Sequence, residues 1–197
     1  MADRMCGGIS IVPTVIRGAM LCALLFLAAC GYHNPYVYDG PDKIIYFAEW
    51  KNRTNNLELN TRLYQSLVRW FQKSGSLHVR AERQGADLIL AGEIKSLYFP
   101  SLAYNASNMA VTGRMYLTVR YILKDLRSGA VLLEEPNYVL DEEYLILADA
   151  ALTRSSEDEA VGRALEDLSQ KIYQRCLAEI PRLAARQRAG AVEAPGK

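Results

Sequence analysis

Three spacings of apolar residues divide the chain. Ala19 to Ala29 is an unbroken apolar run of 11 residues. Gly31 to Asp42 follows no period and is rich in tyrosine and turn formers, which suits a tether. Ile44-Ile45-Tyr46-Phe47 is a β-branched and aromatic run of strand length, closed by the polar residues 51–56. The spacing then becomes helical: Leu59, Leu63, Leu67, Trp70 and Phe71 share one face, with residues 54–56 as cap and Gly75 as stop. Leu77-His78-Val79-Arg80 and Ala86 to Ile94 predict two more strands. Met109 to Lys124 alternates, placing Met115, Leu117, Val119, Tyr121 and Leu123 on one buried face. Asp125 to Gly129 reads as a hairpin turn into a strand from Ala130 to about Val139, where Pro136 marks an edge position or a bulge. Ser155 to Glu159 predicts a capped, acidic helix start, followed by a stripe of Val161, Leu165, Leu168, Ile172 and Cys176 and a stop at Pro181.

The order β-α-β-β-β-β-α, or one strand fewer if the Leu77 and Leu88 segments merge, predicts an α+β fold. It is a two-layer sandwich, a mostly antiparallel four- to five-stranded sheet with two helices on one face. No helix is left for the opposite face.

The apolar run at the start changes this picture. Leu27-Ala28-Ala29-Cys30-Gly31 resembles a bacterial lipobox, with Arg4 and Arg17 as the positive region before the apolar segment. The run is too short to span a bilayer, which takes about 20 residues. An ordinary secretory signal would end in a small residue rather than a cysteine. Residues 1–29 are thus expected to be a lipoprotein signal peptide, with Cys30 as the first mature residue carrying a diacylglycerol and an N-acyl chain. Two or more chains hold a protein on a membrane essentially permanently. No other cofactor is expected. Gly31, rather than an acidic residue, after the cysteine points to the outer membrane by resemblance to the enteric sorting rule. Residues 30–42 form the tether, 43–181 the domain, and the Ala/Arg-rich 182–197 a disordered tail.

From Cys30 onward 168 residues remain, with 21 basic and 21 acidic side chains, a balance that argues against bulk nucleic-acid binding. Cys176 is the one unmodified mature cysteine, so no internal disulfide is expected. His33 and His78 stand apart from each other and from any cysteine pair, and no metal site is expected. No Gly-x-Ser-x-Gly, Ser/His/Asp set or phosphate loop occurs. The densest carboxylate group, Asp141-Glu142-Glu143, reads as a solvated strand end, so an enzyme is not expected.

Several segments resemble the LptE (RlpB) family of lipopolysaccharide-assembly lipoproteins. They are the Cys30-Gly31-Tyr32-His33 start, Trp50-Lys51-Asn52-Arg53-Thr54 followed by Leu57-Glu58 and a helix, and Ala86-Asp87-Leu88-Ile89-Leu90-Ala91-Gly92-Glu93-Ile94. Residue by residue these read as structural: Asn52 and Thr54 as loop-to-helix caps, Gly92 as a bulge or a close backbone approach. The resemblance implies a plug inside the outer-membrane β-barrel LptD, lipid-anchored on the periplasmic side, that assists assembly of the barrel and contacts lipopolysaccharide. Family members place one basic contact residue in the loop between the middle strands, but residues 99–108 here contain no Lys or Arg. A second basic residue before the last helix falls on Arg154. Tyr98, Phe99, Leu102 and Tyr104 form an apolar cluster in a segment that reads as a hairpin loop, and they are the candidate barrel contacts. The competing reading is an outer-membrane lipoprotein of the curli-assembly or penicillin-binding-protein-activator type, which would bind a periplasmic protein.

Overall fold

A computed structural model describes Tyr38, residues 40–107 and residues 109–192, the last ten as backbone only. The expected signal peptide, Cys30 and the tether through residue 37 lie outside the described residues. Tyr38 already belongs to the core: it is buried, and its N–H donates to Ser74 Oγ at 3.0 Å.

Among the described residues seven strands form one sheet. They are β1 (Lys43–Phe47), β2 (Lys51–Asn52), β3 (Leu77–Arg80), β4 (Leu88–Tyr98), β5 (Ser101–Tyr104), β6 (Ala110–Asp125) and β7 (Val131–Leu145). Two helices, α1 (Leu59–Phe71) and α2 (Ala150–Val192), complete the domain. The sheet has two halves. β1 runs parallel to both β3 and β4, and β2 is parallel to β4. β6 is antiparallel to each of its neighbours, β4, β5 and β7. The α+β class stands, but the sheet has more strands than expected and is only partly antiparallel. The reason is α1, which acts as a crossover and returns the chain to β3 in the direction of β1, a connection that hairpin spacing does not reveal.

The alternation in β6 decides where the core lies. Met115, Leu117, Val119, Tyr121 and Leu123 are all fully buried, and they face the helix layer with Leu88, Leu90 and Ile94 of β4. Leu59, Leu63, Leu67 and Phe71 of α1 are fully buried against the same core, as are Leu168, Ile172 and Cys176 of α2. Trp70 is only partly buried, at the flank of α1, where its Nε1 donates to Glu166 Oε1 at 2.8 Å. Burial raises the Glu166 carboxyl, but donors from Ser66, Arg69 and Trp70 outweigh it and hold the group below its usual range. The opposite sheet face carries Arg114, Tyr116, Thr118, Arg120 and Ile122, and among the described residues no helix covers it.

Several element ends differ from expectation. Residues 98–104 of the expected 98–108 loop are not a loop. β4 and β5 are one extended stretch interrupted at Phe99-Pro100, and Arg114 N–H donates across the break to Pro100 O at 3.0 Å. Proline has no N–H for the ladder, so pairing lapses there and resumes at Ser101. The true turn begins after Tyr104, where Asn105 Oδ1 accepts N–H bonds from Ser107 and Met109 at 3.0 and 2.9 Å. β7 is longer than expected and holds Asp141, Glu142 and Glu143 inside it. They are solvated, as Asp141 and Glu143 are exposed, but they are not a strand end, and they are paired: Arg114 with Asp141 and Glu143, and Arg163 with Glu142. Pro136 occupies both expected settings, because β7 pairs only with β6 and the register slips between Tyr138 and Glu135. α1 stops at Phe71, before Gly75. α2 starts at Ala150, ahead of Ser155, because Asp149 Oδ1 accepts the N–H groups of Ala151 and Leu152 at 2.6 and 3.3 Å. Pro181 does not end α2. It lies on the exposed side of the helix, and the tail expected from residue 182 is helical as far as Val192.

Candidate functional site

The sequence builds the site around Gly92 and Trp50. Gly92 is opposite Tyr121 in the β4–β6 register, on the helix side of the sheet. A Cβ at this position would stand 2.5 Å from the Trp50 ring, so the indole lies directly on the strand backbone and stacks on Tyr121 with centroids 6.5 Å apart. Of the two expectations for Gly92, the close approach is the one found, and the bulge falls just beyond it, between Ile94 and Ser96. Trp50 thereby fixes where β2 leaves the sheet. Asn52 Oδ1 accepts from Thr54 N and Oγ1 at 2.9 and 2.8 Å, and Asn52 Nδ2 donates to Asn56 O at 2.7 Å. Asn52 and Thr54 therefore fold the loop before α1, while Asn56 Oδ1 accepts the Glu58 N–H at 3.2 Å. Arg53, at the loop tip, pairs with Glu93 of β4.

Facing this loop is the first part of α2, latched to the end of β7. Leu145 N–H donates to Ser156 Oγ and Leu147 N–H to Thr153 Oγ1, each at 2.9 Å. Between loop and helix lies a cleft of about 640 Å³ whose lining includes Arg53, Lys95, Leu97, Phe99, Arg154 and Glu157. Arg53 is engaged by Glu93, Lys95 by Asn137 Oδ1, and the neighbouring Asp158 by Arg62. Arg154 is exposed and, among the described residues, has neither an ion pair nor a hydrogen bond from its side chain. The lining holds three cations and the two carboxylates Glu157 and Asp158; with Arg53 and Asp158 committed to ion pairs, the uncommitted Arg154 is the group that can take an anion. Arg154 does not precede the last helix but sits in its second turn, because α2 begins five residues earlier than expected.

The apolar candidates separate into two groups. Tyr98, Leu102 and Tyr104 are 62, 48 and 58% exposed. Phe99 instead packs edge to face on Tyr144, with centroids 5.8 Å apart, and the Tyr144 ring lies on Gly113 as Trp50 lies on Gly92. Sequence reasoning missed Arg53 and Lys95 as companions of Arg154, since they come from distant elements joined only by the fold. It also missed Met109, Leu145, Leu147 and Leu152, which are exposed at the same end of the sheet. The available signal was the lack of charged residues at 98–113 and 144–148.

Residues 43–176 match the sequence model of the LptE family, described as lipopolysaccharide-assembly. The chain belongs to this family. A search of curated proteins returns no match. Among solved structures, an uncharacterized lipoprotein B from Nitrosomonas europaea aligns with a TM-score of 0.53 at 15% identity, covering 74% of this chain and 87% of that one. A protein from Xanthomonas campestris aligns with a TM-score of 0.53 at 12% identity, covering 75% and 91%. At such identities the likeness establishes a shared fold alone. Among the described residues, no helix is long and apolar enough to cross a membrane, and no group of three His, Cys, Asp or Glu is placed to hold a metal.

Proposed function

We propose that this LptE-family chain is an outer-membrane lipoprotein, anchored through Cys30, that plugs an LptD-like β-barrel, assists its assembly and contacts lipopolysaccharide through Arg154. The observation that carries the reading is the cleft beside α2. A family defined by lipopolysaccharide assembly has here an uncommitted arginine in a cleft that Arg53 and Lys95 also line, and lipopolysaccharide presents phosphates and acidic sugars. The uncovered sheet face supports the plug role, because its alternating Arg, Tyr, Thr and Ile suits the polar lumen of a large barrel. The missing cation in residues 99–108 is consistent with Arg53 and Lys95 supplying charge from the other side of the cleft.

Photocrosslinkers at Leu102 and Tyr104 test the plug. Covalent adducts with a large outer-membrane barrel are expected, whereas adducts only with a soluble or peptidoglycan-synthesis protein would favour the competing lipoprotein class. Arg154→Glu is expected to weaken lipopolysaccharide binding while the barrel complex still forms, since charge reversal at an exposed side chain is local. Unchanged binding would return Arg154 to a solvated helix flank. Mass spectrometry of membrane-extracted protein should find a lipid-modified cysteine at position 30, and an unmodified start elsewhere would refute the anchor.

A further inference from the structure

β3 and β7, at opposite sides of the sheet, each pair with one neighbour, but their outer edges are finished differently. Along β7 the outward main chain is sealed. Leu145 N–H donates to Ser156 Oγ and Glu143 O accepts from Arg163 Nη2, each at 2.9 Å, and Pro136 has no N–H to offer. Such devices keep a stray strand off an edge. β3 has none of them. Lys43 N–H donates to Ser76 O at 2.9 Å, so Ser76, His78 and Arg80 direct their main-chain groups at β1, and alternation turns those of Leu77 and Val79 outward. The Leu77 C=O and the N–H and C=O of Val79 have no partner among the described residues.

A groove runs beside this open edge. Val79 and Ala81 form one wall, and Tyr64, Val68 and Gln72, on and just after α1, form the other, around a cavity of about 510 Å³. A second cavity of about 360 Å³ continues from it, since Tyr64 and Ala81 line both, and reaches Glu49 and Trp50. An unpaired strand edge with a helix-walled groove alongside is the geometry in which an extended polypeptide binds as an added strand. Its main chain pairs with the edge, and every second side chain enters the groove. From Gln72 to Tyr64 the wall is about 12 Å long, the span of about four extended residues. Charge distinguishes the two ends. Lys73, beyond Gln72, lies over the Trp70 ring and has no carboxylate partner among the described residues; Glu49, at the far end, is exposed and has no ion pair among them.

We propose that the groove between α1 and β3 docks an extended segment of another protein, with apolar residues at alternate positions, an acidic residue toward Lys73 and a basic residue toward Glu49. The groove shares no lining residue with the Arg154 cleft, and the proposal does not rest on the function given above. The test uses the full chain in phosphatidylcholine nanodiscs and a fluorescein-labelled peptide with valine at alternate positions, threonine between, and aspartate and lysine at the two ends. Both orders of the charged ends are made. One order is expected to bind tighter, because a strand adds in one direction; equal affinity would overturn the assignment of the ends. Methylating the valine nitrogens then removes the donors on one edge of the peptide, and methylating the threonine nitrogens those on the other. One methylated form is expected to bind about tenfold weaker while the other matches the parent. No binding of the parent, or equal binding of all three, would overturn the proposal. Val79→Pro deletes the outward donor, while the ladder to β1 uses the neighbouring residues, so it is expected to abolish binding by a folded chain; undiminished binding would refute the site. The methylated peptides need no variant and carry the test if Val79→Pro lowers the Tm. In cells, a photocrosslinker at the exposed Gln65 is expected to form an adduct with another protein. An adduct only with lipid or with a second copy of this chain, or none, would overturn the identity of the occupant.

Discussion

Gly92→Ala tests whether the aromatic wedge over β4 has the tightness the structure gives it. The new Cβ would come within 2.5–2.6 Å of three atoms of the Trp50 ring. The ring has little room to retreat: Trp50 is 5% exposed and stacked on Tyr121, which is itself fully buried. Forcing a methyl into a packed core costs about 1–3 kcal/mol. Against that, replacing a strand glycine recovers about 0.5–1 kcal/mol of chain entropy, and Gly92 is not in the left-handed region, so alanine can adopt its backbone. The steric cost prevails, leaving a net loss of about 1–2 kcal/mol, or a Tm lower by about 2–8 °C for a domain of this size. Gly75→Ala is the control. No atom lies within 4 Å of a Cβ there, so it is expected to be neutral or slightly stabilising. Thermal and urea unfolding of both variants decides the matter, with Trp50→Leu as the second arm of a double-mutant cycle. If Gly92→Ala unfolds at the wild-type midpoint, or if Trp50→Leu fails to relieve its cost, the close approach of ring and strand is wrong.

Three further outcomes follow from the packing. Leu67→Ala is expected to cost about 2–5 kcal/mol, because the side chain is fully buried between α1 and the sheet; an unchanged urea midpoint would refute the two-layer core. The lowered Glu166 carboxyl contributes stability that is complete above its unfolded pKa and is lost as pH falls through the lower folded value, so Glu166→Gln should lower stability at pH 7 and flatten the acid limb of the stability curve. A pH-stability profile identical to that of the wild type would count against the α1–α2 carboxylate hub. Burial pushes the Cys176 thiol up to about 12, so a thiol reagent at pH 8 should label it only after denaturant is added, and fast labelling of the folded chain would show that α2 detaches.

The periodic elements were legible in the sequence because alternation and helical spacing are local records of which side faces the core. The five inward residues of β6 and the stripes of both helices are buried as the pattern implied, apart from Trp70, whose indole nitrogen has a polar partner at the flank. What the pattern concealed depended on partners far along the chain. Nothing near Ile44 announces that β1 lies between β3 and β4, yet Ile44 N–H donates to Asp87 Oδ2 at 2.9 Å and Asp87 N–H to Ile44 O at 2.8 Å. The Ala-Asp-Leu motif is therefore a latch between two parallel strands, reinforced by Arg127. The cleft was half legible: Arg154 could be named, but Arg53 and Lys95 reach it only through a loop held by Asn52 and a bulge after Ile94. The β4–β5 break was misread because proline and aromatics in a row look like a loop, while the ladder simply lapses there and resumes.

The position of β1 has a mechanical consequence. Tension entering the domain through Lys43 meets a strand that is hydrogen-bonded on both edges, to β3 and to β4, with further backbone bonds from Lys43 N to Ser76 O and from Ala48 N to Leu90 O. Parallel neighbours load such a strand in shear, so its ladders must fail together rather than peel one bond at a time. An edge strand in the same place would unzip under a far smaller pull. The architecture puts a strand bonded on both edges at the end of the chain from which an anchored protein would be held.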